Sequence, residues 1–417
     1  MGDSRSDYDL VIAGGGMVGC CLALALAPLG LRIAVVEAVQ RGALRQPSFD
    51  DRSTALSRSS QRMFAAMQLW PEIAAASVPI ASIHVSDRGS FGFSHIEAAH
   101  QGVEALGYVV INRVLGEVLQ KALSALDGVD LFCPARISEV DPGHSEAQVV
   151  ADGAGGRQKL RCRLLVAADG ANSAVREMLG ITASQLDYGQ CAVTGNLLPE
   201  KPPANRAWER FTHSGPLALL PLQGERAAFV WTLSSADADD VMQLSDSDFL
   251  LRLQQAFGWR LGTFDKAGER ISYPLALTRA ARLTARRSVL IGNAANGLHP
   301  VAAQGFNLGL RDVAALCDCI ADAMAAGDRK SIGNDDMLRS YAEWRRADHR
   351  KVTLFTDGLV RLFGSRSAPV RAMRGLGMLG FDLVPGVRSL FARHTMGLAG
   401  RLPALSRGLP LTSGTGR

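Results

Sequence analysis

The sequence predicts an α/β protein with an α+β insert: a discontinuous domain that opens with a βαβ unit, a β-rich segment set into it, and C-terminal helices. Three observations predict it. An apolar run at residues 8–13 leads through a glycine cluster into an apolar helical stretch. Period-two alternation dominates from about residue 190 to 278, with one helical interruption. A buried strand at 288–291 is then followed by a glycine-rich loop and a long helical pattern, so the first kind of unit resumes after the insert. At 417 residues the chain is too long for one ordinary core, and 47% hydrophobic against 20% charged residues excludes a mainly disordered protein.

In chain order, residues 8–13 form a strand, 17–29 a buried helix and 32–37 a second strand, a βαβ opening of about thirty residues. A polar loop covers 41–51, and helical spacing resumes at 57–69 through Met63, Ala66, Met67 and Leu69. Residues 80–93 alternate like strands, 112–125 form an amphipathic helix, and short strands follow at 129–133, 135–140 and 148–151. The apolar strand 164–168 runs into Asp169-Gly170. The insert reads as strands 192–197, 208–211, 217–221 and 227–233 with a helix at 249–257, and the last long helix spans about 307 to 325.

Seven cysteines (20, 21, 133, 162, 191, 317, 319) contain no CxxC pair, so they read as small core residues in a reducing compartment, and no metal-ligand spacing stands out. The acidic start MGDSRSDYD argues against an export signal, and glycines and Pro28 break the uncharged stretch 10–31. A cytoplasmic protein is expected. From Arg361 onward there are nine arginines and one acid, Asp382, so the net charge of +5 belongs to the tail and the body is mildly acidic. No nucleic-acid partner is expected.

Chemistry enters at Gly14-Gly15-Gly16-Met17-Val18-Gly19, between the first strand and the first helix. Gly14 permits a tight turn, Gly16 lets a pyrophosphate approach the backbone, and Gly19 lets helix and strand pack closely. The helix N-terminus offers unpaired N–H groups and partial positive charge. Glu37 ends the second strand, where a carboxylate accepts hydrogen bonds from ribose hydroxyls. This is a Rossmann-like dinucleotide fingerprint, and by itself it leaves FAD and NAD open.

Two further motifs follow buried strands: Asp169-Gly-Ala-Asn-Ser173-Ala-Val-Arg176, and Gly292-Asn293-Ala-Ala-Asn-Gly-Leu-His299-Pro300-Val-Ala-Ala-Gln-Gly305-Phe306-Asn307-Leu-Gly-Leu-Arg311-Asp312. The second is a backbone-rich loop that a planar ring can approach, followed by a helix start that stabilises negative charge on a flavin edge. With Asp51-Arg52-Ser-Thr-Ala-Leu-Ser57, these motifs resemble the flavin-dependent aromatic monooxygenases of the para-hydroxybenzoate hydroxylase type over about residues 7–350. The ubiquinone-biosynthesis branch is nearer, and within it the 2-polyprenyl-6-methoxyphenol hydroxylases. Asn293 stands where the superfamily usually has Asp, and Ala303 where it commonly has Gly.

The resemblance implies FAD as cofactor, NADPH or NADH as a transient co-substrate, and O2 activated as a C4a-hydroperoxide of the flavin to hydroxylate a prenylated phenol to the 1,4-benzoquinol. It assigns Arg52 and Pro300 to the reacting end. To the cofactor it assigns Gly14, Gly16, Gly19, Glu37, Arg52, Arg113, Asp169, Gly292, Asn293, Gly305, Phe306 and Asn307. Three blander roles stay open: a surface ion pair for Arg113, a helix cap for Asp169 and a turn for Pro300. His299 reads as structural. Leu217, Leu219, Pro221, Val230 and Trp231 alternate on two strands and serve equally as substrate walls or as sandwich core.

On this reading residues 1–75, 105–185 and 285–340 form the FAD-binding domain, and 76–104 with 186–284 the β-rich substrate domain. Residues 341–417 form a basic amphipathic helical region. Apolar positions there recur at helical spacing: Val352, Phe355, Leu359 and Leu362; Val370, Met373, Leu376, Leu379 and Leu383; Val387, Leu390, Phe391, His394 and Leu398. That pattern suits the inner-membrane surface, other ubiquinone-biosynthesis proteins, a second copy of the chain, or packing back on the body. Competing functions are a sister hydroxylase acting at another ring carbon, another flavoenzyme such as a halogenase or prenyl-chain reductase, and a catalytically silent FAD-binding scaffold.

Overall fold

The computed structural model describes residues 7–40, 50–88, 93–298, 304–326, 328–364 and 385–411. Tyr8–Ala13 is buried along its whole length because it sits between two parallel neighbours, Gly156–Ala167 and Ile33–Val36. The sheet continues parallel to Val129–Phe132 on one side and to Ser288–Leu290 on the other, and an antiparallel hairpin of Ala135–Pro142 and Ala147–Gly153 extends from its long strand. Strands buried on both faces read as continuous apolar runs, which is why LVIA and LLVA carry no alternation.

The first helix, Met17–Leu26, lies on this sheet and is buried from Gly19 onward. Pro28 then sits in a 3-10 turn, Ala27–Leu29, so the expected helix is shortened by its proline. Over it pack Gln304–Ala326 and the helix Asp335–Gly364, and together they form the largest core cluster. The expected helix at 57–69 is also shorter. It runs Arg58–Ala66, with Ser57 Oγ accepting from Ser60 N–H, and residues 53–57 before it are a strand.

A second sheet of nine strands is antiparallel except where Arg206–Phe211 runs parallel to Ser82–Asp87. Helices Ser235–Met242 and Asp246–Phe257 cover one of its faces around Phe229, Trp231 and Phe249. A three-stranded sheet (Ser53–Ser57, Val78–Ile80, Gly107–Ile111) joins the two large ones. All seven cysteines are free, five of them buried.

Where it is described, the C-terminal region packs back on the body, one of the alternatives its pattern leaves open. Val352, Ala392, Met396, Leu405 and Leu411 are buried, and Phe391 and Leu398 pack against the body instead of facing outward. Ser59 N–H donates to the Met396 carbonyl at 3.1 Å and Ala404 N–H to Asp318 Oδ2 at 3.1 Å, which fastens the segment down. Val370, Met373, Leu376, Leu379 and Leu383 lie outside the described residues. No helix among the described residues is long and apolar enough to cross a membrane.

Candidate functional site

The glycine turn is dictated by space. Gly14 has φ +101°, and a Cβ there would lie 2.5 Å from the Ala168 carbonyl oxygen. A Cβ on Gly19 would lie 1.9 Å from the Gly14 carbonyl oxygen, so only glycine lets the helix start this close to the strand. Gly16 caps the helix with no side-chain hydrogen bond, which leaves the N-terminal amides and the positive end of the dipole toward the opening. Glu37 is held by the same turn: its carboxylate accepts from Gly15 N–H at 2.6 Å and Val39 N–H at 2.7 Å.

A cavity of about 1030 Å³ starts here and is lined from both large sheets. Ligand pockets ordinarily hold roughly 300–1,000 Å³, so this one stands at the upper end of that range, as a large ligand requires. Gly14, Gly16, Glu37, Arg52, Asp169, Asn293, Gly305 and Phe306 all line it, which brings three separated motifs to one place. Asp169 also organises the turn below it. Its carboxylate accepts from Ser173 Oγ at 2.5 Å and Val175 N–H at 3.1 Å, and burial raises its pKa against those two bonds.

Arg52 is fixed in the cavity wall. Its Nε donates to Asp50 at 2.5 Å, and its guanidinium stands 5.2 Å from the centre of the Tyr273 ring. Burial pushes the Tyr273 phenol upward while Arg52 opposes the shift. Gly292 has φ +58° and donates its N–H to Asp312 Oδ2 at 3.0 Å. Asp312 Oδ1 in turn accepts from Arg345 Nε at 2.7 Å and pairs with His349 Nε2 at 2.6 Å. Burial works against the Asp312 charge, but His349 and Arg345 outweigh it and hold its pKa at about 2. The loop at 292–297 therefore rests on a buried charge network, with the N-terminus of the long helix beside it at Gly305.

Other assigned residues fall elsewhere. Arg113 is half-exposed in ion pairs with Asp51 and Glu117, each 3.0 Å, and its neighbour Asn112 lines the cavity instead. Asn307 is not among the residues that line the cavity; its side chain accepts from Ser57 N–H and Ser60 Oγ and donates to the carbonyl of Ala55, tying helix to strand. Leu217, Leu219 and Trp231 belong to the core under the two insert helices, and Pro221 is buried away from the cavity. Val230, Leu220 and Ala228 form the wall together with Phe229; adjacent strand residues face opposite sides, and the first three carry the parity opposite to Leu217, Leu219 and Trp231. Pro300 and His299 lie outside the described residues. Sequence reading missed Tyr273, Thr194 and Leu220; the signal for Leu220 was the same alternation read one residue out of phase.

The FAD-binding domain family profile matches residues 7–356. The ubiquinone hydroxylase UbiL of Rhodospirillum rubrum is 37% identical over 415 residues, covering 98% of this chain and 95% of that protein. The 3-demethoxyubiquinol 3-hydroxylase of Escherichia coli is 30% identical, covering 94% of this chain and 98% of that protein. In fold, the crystal structure of p-nitrophenol 4-monooxygenase PnpA from Pseudomonas putida superposes with a TM-score of 0.78 at 19% identity, over 94% of this chain and 98% of that one. A dinucleotide cavity assembled from three motifs and a match along almost the whole chain make one conclusion: the protein belongs to the FAD-binding domain family and is a flavin-dependent monooxygenase.

Proposed function

We propose that the protein hydroxylates a prenylated phenol of ubiquinone biosynthesis, converting 2-polyprenyl-6-methoxyphenol to the 1,4-benzoquinol with O2 and NADPH or NADH. The observation that carries this reading is the single cavity that joins the fingerprint to the apolar face of the second sheet. Likeness to two ubiquinone-pathway hydroxylases supports the substrate class. When bound, FAD supplies the two-electron redox chemistry and the activation of O2.

The chain's own groups do the rest. The uncapped helix at Gly16 and the glycines beside it suit the pyrophosphate, and Glu37 retains lone pairs for the ribose. Arg52, locked by Asp50 and Tyr273, and the helix start at Gly305 set positive potential beside the ring system. Val230, Leu220 and Ala228 offer the substrate ring an apolar wall that excludes water. Pro300 is assigned to the substrate ring as well. With one fingerprint in the chain, the pyridine nucleotide docks transiently and leaves.

The test is NADPH- and NADH-dependent O2 uptake by the yellow purified protein with a short-chain 2-prenyl-6-methoxyphenol, with the product read by mass spectrometry. Uptake coupled to the para-hydroxylated product supports the reading. The 3-demethoxyubiquinol 3-hydroxylase likeness favours a second one, hydroxylation at another ring carbon. A deletion strain that accumulates a precursor lacking a different hydroxyl decides for it. Contact of the basic tail with anionic lipid is part of the same proposal, and salt-sensitive co-sedimentation with liposomes that is lost on cutting after Gly364 checks it.

A further inference from the structure

We propose that Glu209 is the group that hydrogen-bonds the substrate's phenolic hydroxyl and accepts its proton; this rests on the phenol-hydroxylase reading above. Its position follows from the register of the second sheet. Thr194 pairs with Val230, Val230 with Ala218, Ala218 with Glu209, Glu209 with Val85 and Val85 with Ser94. These six residues form one row across six strands, and paired residues share a face. Thr194 and Val230 line the cavity, so Glu209 stands on the same face, about 10 Å from Val230 at the ordinary strand spacing.

Glu209 is largely buried but keeps partial accessible surface, on the face that carries Val230 and one strand beyond the last strand that lines the cavity. Among the described residues nothing hydrogen-bonds or ion-pairs with it. The charged groups nearby point elsewhere. Arg206 and Arg210 share their strand's opposite face with Trp208; His84 and His95, paired with each other, stand on that face too. Asp87 is one pair further along the Glu209 face, opposite Phe211. Strand Pro216–Pro221 contributes no titratable group. The C-terminal segment covers this face at Ala392 and Met396, and on it burial lowers the His394 pKa, with Arg311 and Lys351 adding to the shift and Asp348 opposing it. Burial without a compensating partner pushes the Glu209 pKa up to about 7. A carboxyl poised there is a base at cellular pH and an acid once it has taken a proton.

The step balances without another reactant. The phenolic O–H bond breaks, the proton forms an O–H bond on Glu209, and the electron pair stays on the phenolate oxygen, activating the ring. When the hydroxylated ring sheds its C–H proton to solvent and regains aromaticity, Glu209 returns its proton to that oxygen.

The test uses FAD-loaded full-length protein and 2-methoxyphenol, with affinity read by ultraviolet difference titration from about pH 5 to about pH 9, without NADPH. The native protein should bind about tenfold more tightly above about pH 7 than well below it, since one charge-assisted hydrogen bond is gained. Glu209→Gln, which keeps shape and hydrogen bonding, should be flat, and Glu209→Asp should recover part of the dependence. A native profile without an inflection overturns the assignment, whatever the variants do. An inflection that survives in Glu209→Gln, with unchanged flavin content, overturns it equally, leaving Glu209 a packing residue. Failure of the native protein to bind any phenol overturns the phenol reading, and this assignment with it.

Discussion

The two ends of the cavity are built by different means. At the fingerprint end the backbone does the work: glycines at 14 and 19 where a Cβ has no room, an uncapped helix start, and a carboxylate held by two amides. At the sheet end the work falls to side chains on one face of a pleated surface, where the identity of each residue matters less than its parity. The first kind of site tolerates almost no substitution and announces itself in the sequence. The second tolerates many and does not.

Gly19→Ala attacks the first kind directly. Its new methyl group overlaps the Gly14 carbonyl, so helix and strand must separate, and we expect a loss of more than about 4 kcal/mol, with no flavin retained. Urea unfolding and the visible spectrum check both. If the variant stays yellow with native stability, the fingerprint end is more plastic than described. Next comes the network under the Gly292 loop: Arg345→Ala takes from the buried Asp312 its guanidinium partner, which should cost about 3–5 kcal/mol in the same assay.

The sheet end is sharpened by a pair of substitutions of opposite parity. Leu217→Ala should lower stability by about 2–5 kcal/mol with little change in KM for the phenol, because it opens a hole in the helix-covered core. Val230→Phe should raise KM with a smaller stability change, since its side chain meets the cavity. Equal kinetic effects of the two would remove the parity argument.

Glu209 links this end to pH. Its folded pKa of about 7 lies above the ordinary glutamate value, so the folded state holds a proton that the unfolded state has released. Stability therefore falls as pH rises from the ordinary value through about 7, and stays lower beyond. Glu209→Gln should raise stability at pH 8 by on the order of 2 kcal/mol, a gain that vanishes near pH 4 in chemical denaturation. The smallest effect belongs to Arg113→Ala: its exposed ion pairs are worth at most about 1 kcal/mol each, and flavin content should not change.

Much of this architecture was legible beforehand. The βαβ opening, the return of the first domain at 288 and the three cavity motifs follow from glycine placement and unbroken apolar runs. For Asn307 a motif position shows that a residue is constrained, not by what; here three bonds to residues 55–60 hold its side chain. Tyr273 was missed because Pro274 interrupts the strand pattern around it. Leu217 and Leu220 differ only in phase, which alternation cannot assign without knowing which face the helices cover. The Asp312–Arg345 pair joins residues 33 apart on two helices, a contact that no local pattern encodes.

The fastening of the C-terminal segment also sets an order of events during synthesis. Met396 bonds to Ser59 and Ala404 to Asp318, and Ala392 closes the face that bears Glu209. A ribosome delivers these residues after every strand of both large sheets. The emerging chain can complete the turn at the fingerprint before the sheet end has its cover, so the dinucleotide half matures first. Competence toward a ring substrate waits until this covering segment has left the exit tunnel.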